Sequence, residues 1–321
     1  MMKCFAGYSE NNNIIQNASS GGITTAISHY ILQNNGVVYG VQYKNDFKNI
    51  EYGRSTNEDS LVKFMGSKYV KFRVDEETIN NIISDLQSNK KVLFIGMPCN
   101  TFLLRKKIVT YQSELLENLL IIDMICSGAV SNDVLKDYTN YLENKFNSNI
   151  VELSMRKKCP DWIPPFLYVK FANGKIYKDR LYRTDFGLAL SNMLCEECYH
   201  CQLRGNNRCS DITVGDMWGI NEKNEIYNKK GVSVVISHTE KGEHLLNSLQ
   251  SVVLSKIEIN QVEKNNPRYS SCSKASIIKE DFIKQYSENG LHRACINTMK
   301  IKQRMIYLFR NLKSMGITYL K

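Results

Sequence analysis

No apolar run in this 321-residue chain approaches the roughly 18 residues that a membrane-spanning helix needs. The opening stretch, MMKCFAGYSENNN, has no signal-peptide core. The expectation is a cytoplasmic protein without a transmembrane segment. Low-complexity tracts and internal repeats are also absent, which leaves an ordinary globular reading. No Ser-His-Asp arrangement and no paired-carboxylate pattern stands out, so hydrolysis has no support.

What is present is long enough for one large α/β domain or two smaller ones. Hydrophobic residues make up 43% and charged residues 23%, the profile of a globular protein. The net charge of +10 is spread through a Lys-, Asn- and Ile-rich chain and does not read as a nucleic-acid signal. Charge concentrates only from Lys300 to Lys321, where Lys300, Lys302, Arg304, Arg310 and Lys313 stand among apolar residues. Such a basic amphipathic end suits a membrane surface or an acidic partner. The plainer reading, a solvated helix packed on its own domain, is preferred.

Three runs read as strands ending in sharp turns: Gly36 to Val41, Lys91 to Gly96 and Leu119 to Cys126. The last is almost continuously apolar, as a strand buried on both faces should be. Helical periodicity covers Ser20 to Gln33, Glu76 to Leu86 and Asn132 to Phe146, with Ser20 and Ser131 as candidate N-caps. Strands alternating with helices predict α/β architecture with a mainly parallel sheet over residues 1–150. Beyond it the rhythm changes to α+β. Leu167 to Phe171, Asn173-Gly174 and Lys175 to Tyr177 predict a hairpin, and Asp211 to Asp216 and Gly231 to Ile236 read as strands around a cysteine-bearing loop.

Ten cysteines in a reducing compartment point to metal or redox chemistry rather than disulfides. Cys195, Cys198 and Cys201 form a C-x2-C-x2-C run, with Cys209 close behind. This spacing brings three thiolates round one small volume. A [4Fe–4S] cube takes four thiolates, three commonly from one run. Zinc sites of four thiolates, or of three and an imidazole such as His200, use similar spacing. Cys99 and Cys126 sit at the ends of two predicted parallel strands, where α/β sheets bind ligands. Cys4, Cys159, Cys272 and Cys295 read as ordinary thiols.

Five motifs then occur in order: Ser19-Ser20-Gly21-Gly22; Met65-Gly66-Ser67-Lys68-Tyr69-Val70; Phe94-Ile95-Gly96-Met97-Pro98-Cys99; Asp123-Met124-Ile125-Cys126-Ser127-Gly128; and Cys198-Tyr199-His200-Cys201 with Ser210 to Gly219. Together they resemble the coenzyme F420 hydrogenase/dehydrogenase beta-subunit family, from about Cys4 to His238. The resemblance implies a flavoprotein holding FAD beside a [4Fe–4S] cluster and passing electrons between ferredoxin-type carriers and a two-electron substrate. It tips the metal toward iron. Some bacterial relatives serve surface-polysaccharide synthesis, which suggests a small-molecule or glycan-related substrate. Longer relatives begin with a ferredoxin-like domain that this chain lacks, so a separate ferredoxin or flavodoxin is the expected donor. The domains implied are a flavin-binding unit (1–150), a cysteine-rich iron–sulfur unit (151–264) and a basic helical tail (265–321).

Two ligand sets compete. Family-like ligation uses Cys99 or Cys126, or both, with Cys198 and Cys201; local ligation uses Cys195, Cys198, Cys201 and Cys209. Cys198 and Cys201 are the firmest members. For the flavin, Ser19, Ser20, Gly21 and Gly22 at a helix start would cradle phosphate, and Gly66, Ser67, Lys68 and Tyr69 would add a hydroxyl, a cation and a ring. Gly96 and Pro98, with Met97, would shape the loop carrying Cys99. Arg156 and Lys157 resemble a basic family motif. Trp218 reads as a core tryptophan. His200 and His238 read as surface or structural histidines. The competing function is a zinc-stabilised or redox-inactive accessory protein of glycan assembly.

Overall fold

Val92, Phe94, Leu119 and Ile121 bury toward one face of a sheet while Leu93, Leu120 and Ile122 bury toward the other. This two-residue alternation, apolar on both sides, produces a strand layer covered by helices on each face. A computed structural model describes residues 2–314, with side chains to residue 310.

The chain opens with β1 (Lys3–Ser9), the short α1 (Asn12–Asn17), α2 (Ile23–Gln33), β2 (Val37–Tyr43) and β3 (Ile50–Ser55). There follow α3 (Glu76–Gln87), β4 (Val92–Ile95), α4 (Pro98–Tyr111), β5 (Leu119–Met124) and α5 (Asn132–Phe146). Next come β6 (Ile150–Lys157), β7 (Phe166–Phe171), β8 (Ile176–Arg180), α6 (Asp185–Asn192) and α7 (Glu196–Tyr199). The last part holds β9 (Ile212–Asp216), β10 (Ser233–Ser237), α8 (Glu240–Ser248), β11 (Val252–Ile257), α9 (Ile259–Asn265), α10 (Lys279–Asn289), α11 (Leu291–Asn297) and α12 (Ile301–Ser314).

Eight strands form one sheet in the order β11-β1-β10-β9-β5-β4-β2-β3. Its centre, β2, β4, β5 and β9, is parallel, and the outer pairs are antiparallel. The mixed α/β class therefore matches expectation. Helices α2 and α8 pack on one face through Ile23, Ile27, Ile31, Leu245 and Leu246. Helices α3 and α4 cover the other through Ile79, Ile82, Leu86, Leu104 and Ile108. Strand β6 opens a separate antiparallel sheet, β6-β7-β8, and β9 to β11 return to the large one. That small sheet shares a core with α5, α6 and α11.

Local chemistry sets the helix ends. Asp75 caps α3 by accepting from Thr78 N–H at 2.8 Å. Helix α2 differs from expectation: it starts at Ile23, and Gly22, at φ +82°, takes the N-cap position. Ser20 is not a cap; its hydroxyl donates to the Val232 carbonyl at 2.9 Å. Ser131 holds the N-cap position of α5 without a side-chain bond. Of the basic residues expected in the tail, the Lys313 side chain and Lys321 lie outside the described residues.

Candidate functional site

Cys99 reaches the site from the first turn of α4, just past the carboxyl end of β4, because Pro98 opens that helix at a position needing no N–H. Cys126 follows the end of β5. Cys198 lies within α7, and Cys201 just beyond its end. These four thiols line one cavity of about 270 Å³. The topology thus delivers two strand ends and one loop to a single place, as open α/β sheets do with ligand sites.

The other two cysteines of the local set do not line that cavity, although Cys195 feels the charges of Cys198 and Lys71. Cys195 is the residue before α7; its N–H donates to the Ala129 carbonyl at 2.9 Å, and it does not line the cavity. Cys209 is held elsewhere, its carbonyl accepting from Arg105 Nη1 at 3.3 Å. Cys272, read as ordinary, stands beside the loop, its thiol directed at the Cys201 carbonyl across 3.5 Å. Cys4 and Cys295 are buried.

Gly128 makes the approach of β5 to α7 possible. Its φ is +97°, and a Cβ there would stand 2.7 Å from Leu194 Cδ1 and 3.1 Å from Cys198 Cβ. Its N–H donates to Cys126 Sγ at 3.3 Å.

Three cations surround the thiols. Lys71 lines the cavity and pairs with Glu197 at 3.1 Å. Arg204 donates to the Cys201 and Cys198 carbonyls at 2.8 and 3.3 Å, which leaves its buried Nη1 without a partner. Arg208 donates to Asp123 Oδ2 at 2.9 Å, and its buried Nε is likewise unpartnered. Sequence reasoning missed both arginines, since a cation in a polar loop reads as solvated until burial is known. Burial pushes the Cys126 thiol up to about 12. Burial also raises Cys99, against the pull of Lys71. Thiols held neutral by burial call for a compensating cation before they ionise. Among the described residues no three His, Cys, Asp or Glu side chains gather closely enough to hold a single metal ion.

A second cluster forms where the Ser19–Gly22 turn meets the Gly66–Tyr69 turn. Ser67 N–H donates to Ser19 Oγ at 2.9 Å. Gly21 is demanded by packing, since a Cβ would lie 2.4 Å from the Gly7 carbonyl oxygen. Lys68, expected to add a cation to the flavin, is buried: its ammonium donates to the carbonyls of Lys63, Phe64, Met65 and Gly66, and burial lowers it to about 7. It fixes the turn instead of offering a free charge. Tyr69, at φ +57°, has Arg156 beside its hydroxyl.

Arg156 is buried, bonded through Nη1 to Asp216 at 2.6 Å, and its Nε and Nη2 have no hydrogen-bond partner. Its guanidinium lies over the Trp218 ring. Trp218 is the exposed member of a stacked pair with buried Trp162, so it is not a core tryptophan. Lys157 is tied to Glu152 at 3.1 Å. Lys158, absent from the sequence reading, is buried and donates to the Ser20 carbonyl at 2.8 Å. The two clusters adjoin: the Tyr69 carbonyl accepts from Val130 N–H, and Lys71 N–H donates to the Val130 carbonyl, beside Ala129 in the cavity wall.

His200 is exposed, near Glu196 at 3.5 Å. His238 is partly buried and bonded to Thr213 at 2.8 Å. Gly96 sits in the β4–α4 loop, closely facing the Tyr52 hydroxyl, and Pro98 opens α4.

Fold and site define a mixed α/β protein with a cationic, thiol-lined cavity at the carboxyl ends of its parallel strands. Two family models match it, both describing the beta subunit of coenzyme F420 hydrogenase/dehydrogenase: the N-terminal model over residues 4–75, and the C-terminal model over residues 89–265. The chain belongs to the coenzyme F420 hydrogenase/dehydrogenase beta-subunit family, and its coarse role is that of an iron–sulfur electron-transfer protein. No curated protein matches it. A solved structure, the xenon-derivatised F420-reducing [NiFe] hydrogenase complex of Methanosarcina barkeri, is similar at TM-score 0.57 and 15% identity, covering 89% of this chain and 93% of that one. At that identity the likeness concerns the fold alone.

Proposed function

We propose that this chain is an iron–sulfur flavoprotein oxidoreductase that passes electrons between a one-electron carrier and a two-electron substrate. The observation that carries it is the convergence of Cys99, Cys126, Cys198 and Cys201 on one cavity that Arg204 and Arg208, each with an unpartnered buried nitrogen, also line. A four-thiolate cluster is anionic, and buried guanidinium N–H groups suit it in charge and hydrogen bonding. A single zinc ion would need its thiolates about 2.3 Å from one centre. The thiols instead line the wall of a cavity of about 270 Å³, which favours the larger cubane. Cys195 and Cys209 are left out of the proposed ligand set.

Flavin is assigned to the adjoining cluster. Arg156 Nε and Nη2, the Ser19 and Ser67 hydroxyls, Tyr69 and the N-terminus of α2 offer an anion the donors that a pyrophosphate needs. Lys158 holds the Ser20 carbonyl and so fixes the turn. When bound, FAD would supply the exchange between one- and two-electron transfer. A net charge of +10 suits an acidic ferredoxin or flavodoxin as donor. Among the described residues nothing selects a glycan-related substrate over another.

The test is anaerobic purification with metal and flavin analysis. A brown protein with FAD and about four irons per chain, as a cubane requires, is expected. A colourless protein with stoichiometric zinc overturns the proposal.

A further inference from the structure

Among the described side chains of helix α12 (Ile301–Ser314), Tyr307 is the buried one. Tyr307 is 4% exposed; its hydroxyl donates to buried Asp185 and lies 3.2 Å from His292 Nδ1. His292 Nδ1 is itself 2.9 Å from the other Asp185 oxygen. With the Tyr307 side facing the body, the 100° step of an α-helix fixes what faces away. Ile301, Met305 and Leu308 follow i, i+4, i+7 spacing on the far side, and Phe309 adjoins them. They are 80%, 67%, 39% and 64% exposed, and Ile306 at the edge is 54% exposed. Among the described side chains, the helix therefore leaves this apolar stripe uncovered while Tyr307 and Arg310 contact the body.

Charge points to what covers that face. From Lys300 to Lys321 the chain carries six Lys or Arg residues and no Asp or Glu. Lys302 and Arg304 are exposed on the two flanks of the apolar stripe, whereas Arg310 faces Asp179 at 3.9 Å. A second copy seated on the stripe would set these cations, and two chains of net +10, against each other. An anionic lipid surface accepts both features, the apolar stripe entering the acyl boundary and the cations the headgroups. Over its described residues the helix is roughly 21 Å long at about 1.5 Å per residue, and over those residues it is not long and apolar enough to cross a membrane.

We infer that α12 lies in the plane of an anionic membrane surface and docks the protein there. The inference is independent of the cofactors assigned above. It is tested by flotation of the full chain with vesicles of phosphatidylcholine alone or mixed with phosphatidylglycerol. Co-flotation with the anionic vesicles only, and its loss at high salt, is expected. The Met305→Glu/Phe309→Glu variant should partition about tenfold less or worse, since it removes two inserting side chains and adds two anions. Lys302→Gln/Arg304→Gln, which alters only exposed polar groups, should weaken binding in the same direction. The inference is overturned by absence of binding to anionic vesicles, by unchanged binding of both variants, or by a wild-type dimer that the first variant dissociates.

Discussion

Arg208 donates to Asp123 across 2.9 Å with both side chains sealed, at 1% and 0% exposure. The pair joins the cysteine loop to the end of β5, so it holds two of the cavity's walls in register. Burial pushes the Asp123 carboxyl up, and Arg208 and the Thr213 hydroxyl, at 2.5 Å, oppose that. Removing one partner leaves a buried group uncompensated, which costs far more than the pair contributes. Arg208→Met should therefore lose about 3–5 kcal/mol of unfolding free energy. Adding Asp123→Leu should recover most of it. Urea unfolding of both variants checks this, and a single variant within about 1 kcal/mol of wild type would show the pair to be dispensable.

Arg156 supports a second prediction. Its Nε and Nη2 are buried without partners while Nη1 holds Asp216. Lysine retains the charge but cannot bond Asp216 and a ligand with one planar fork. In the proposed flavin site, Arg156→Lys should weaken FAD binding about 10- to 100-fold, the worth of a charged hydrogen bond or two. Fluorescence titration of flavin-free protein measures it, with circular dichroism confirming the fold. Unchanged affinity would remove Arg156 from the site.

The third prediction concerns acid. The Thr213 hydroxyl gives its proton to Asp123, so His238 donates to Thr213 from Nε2–H and is neutral. Burial, helped by Arg208, holds its imidazole down at about 4. The unfolded chain binds this proton first, so stability present above about pH 6.5 is lost as pH falls through 4. The loss is on the order of 3 kcal/mol. Other groups also titrate there, so the readout is a difference. The stability gap between wild type and His238→Asn should narrow steadily from pH 7 to pH 4. A gap independent of pH would contradict the assignment.

Much of the fold was legible because its centre obeys simple periodicities. The runs at Lys91 to Gly96 and Leu119 to Cys126 are β4 and β5, and α5 occupies Asn132–Phe146 as its apolar spacing indicates. Of the antiparallel additions, β10 and the β7–β8 hairpin were legible and β1, β3 and β11 were not. Lys3–Ser9, KCFAGYS, is buried at five of its seven positions but breaks its apolar run with glycine and polar residues, and its partners β10 and β11 are distant in sequence; Ile50–Ser55, IEYGRS, is only partly buried along its middle and is largely polar. At the site, Cys99 and Cys126 were visible as strand-end thiols, and Cys198 and Cys201 through their spacing. Spacing alone also offers Cys195 and Cys209, and it cannot register that the Cys195 backbone is tied to Ala129 or Cys209 to Arg105; which thiols ligate is left to the proposal. Lys68 reads in sequence as a cation for a bound ligand, and Lys158 carries no signal. Only the fold shows them buried on backbone carbonyls.

The central claim is that the metal ligands come from two strand ends and one loop. Anaerobic iron and zinc analysis of single cysteine variants tests it most directly, with electron paramagnetic resonance of the dithionite-reduced proteins. Cys99→Ser, Cys126→Ser, Cys198→Ser and Cys201→Ser should each lose most of the roughly four irons of a cubane and its reduced signal. Cys195→Ser and Cys209→Ser should keep both. The account is contradicted if Cys209→Ser abolishes the cluster while Cys126→Ser retains it, or if the wild-type chain binds zinc instead of iron.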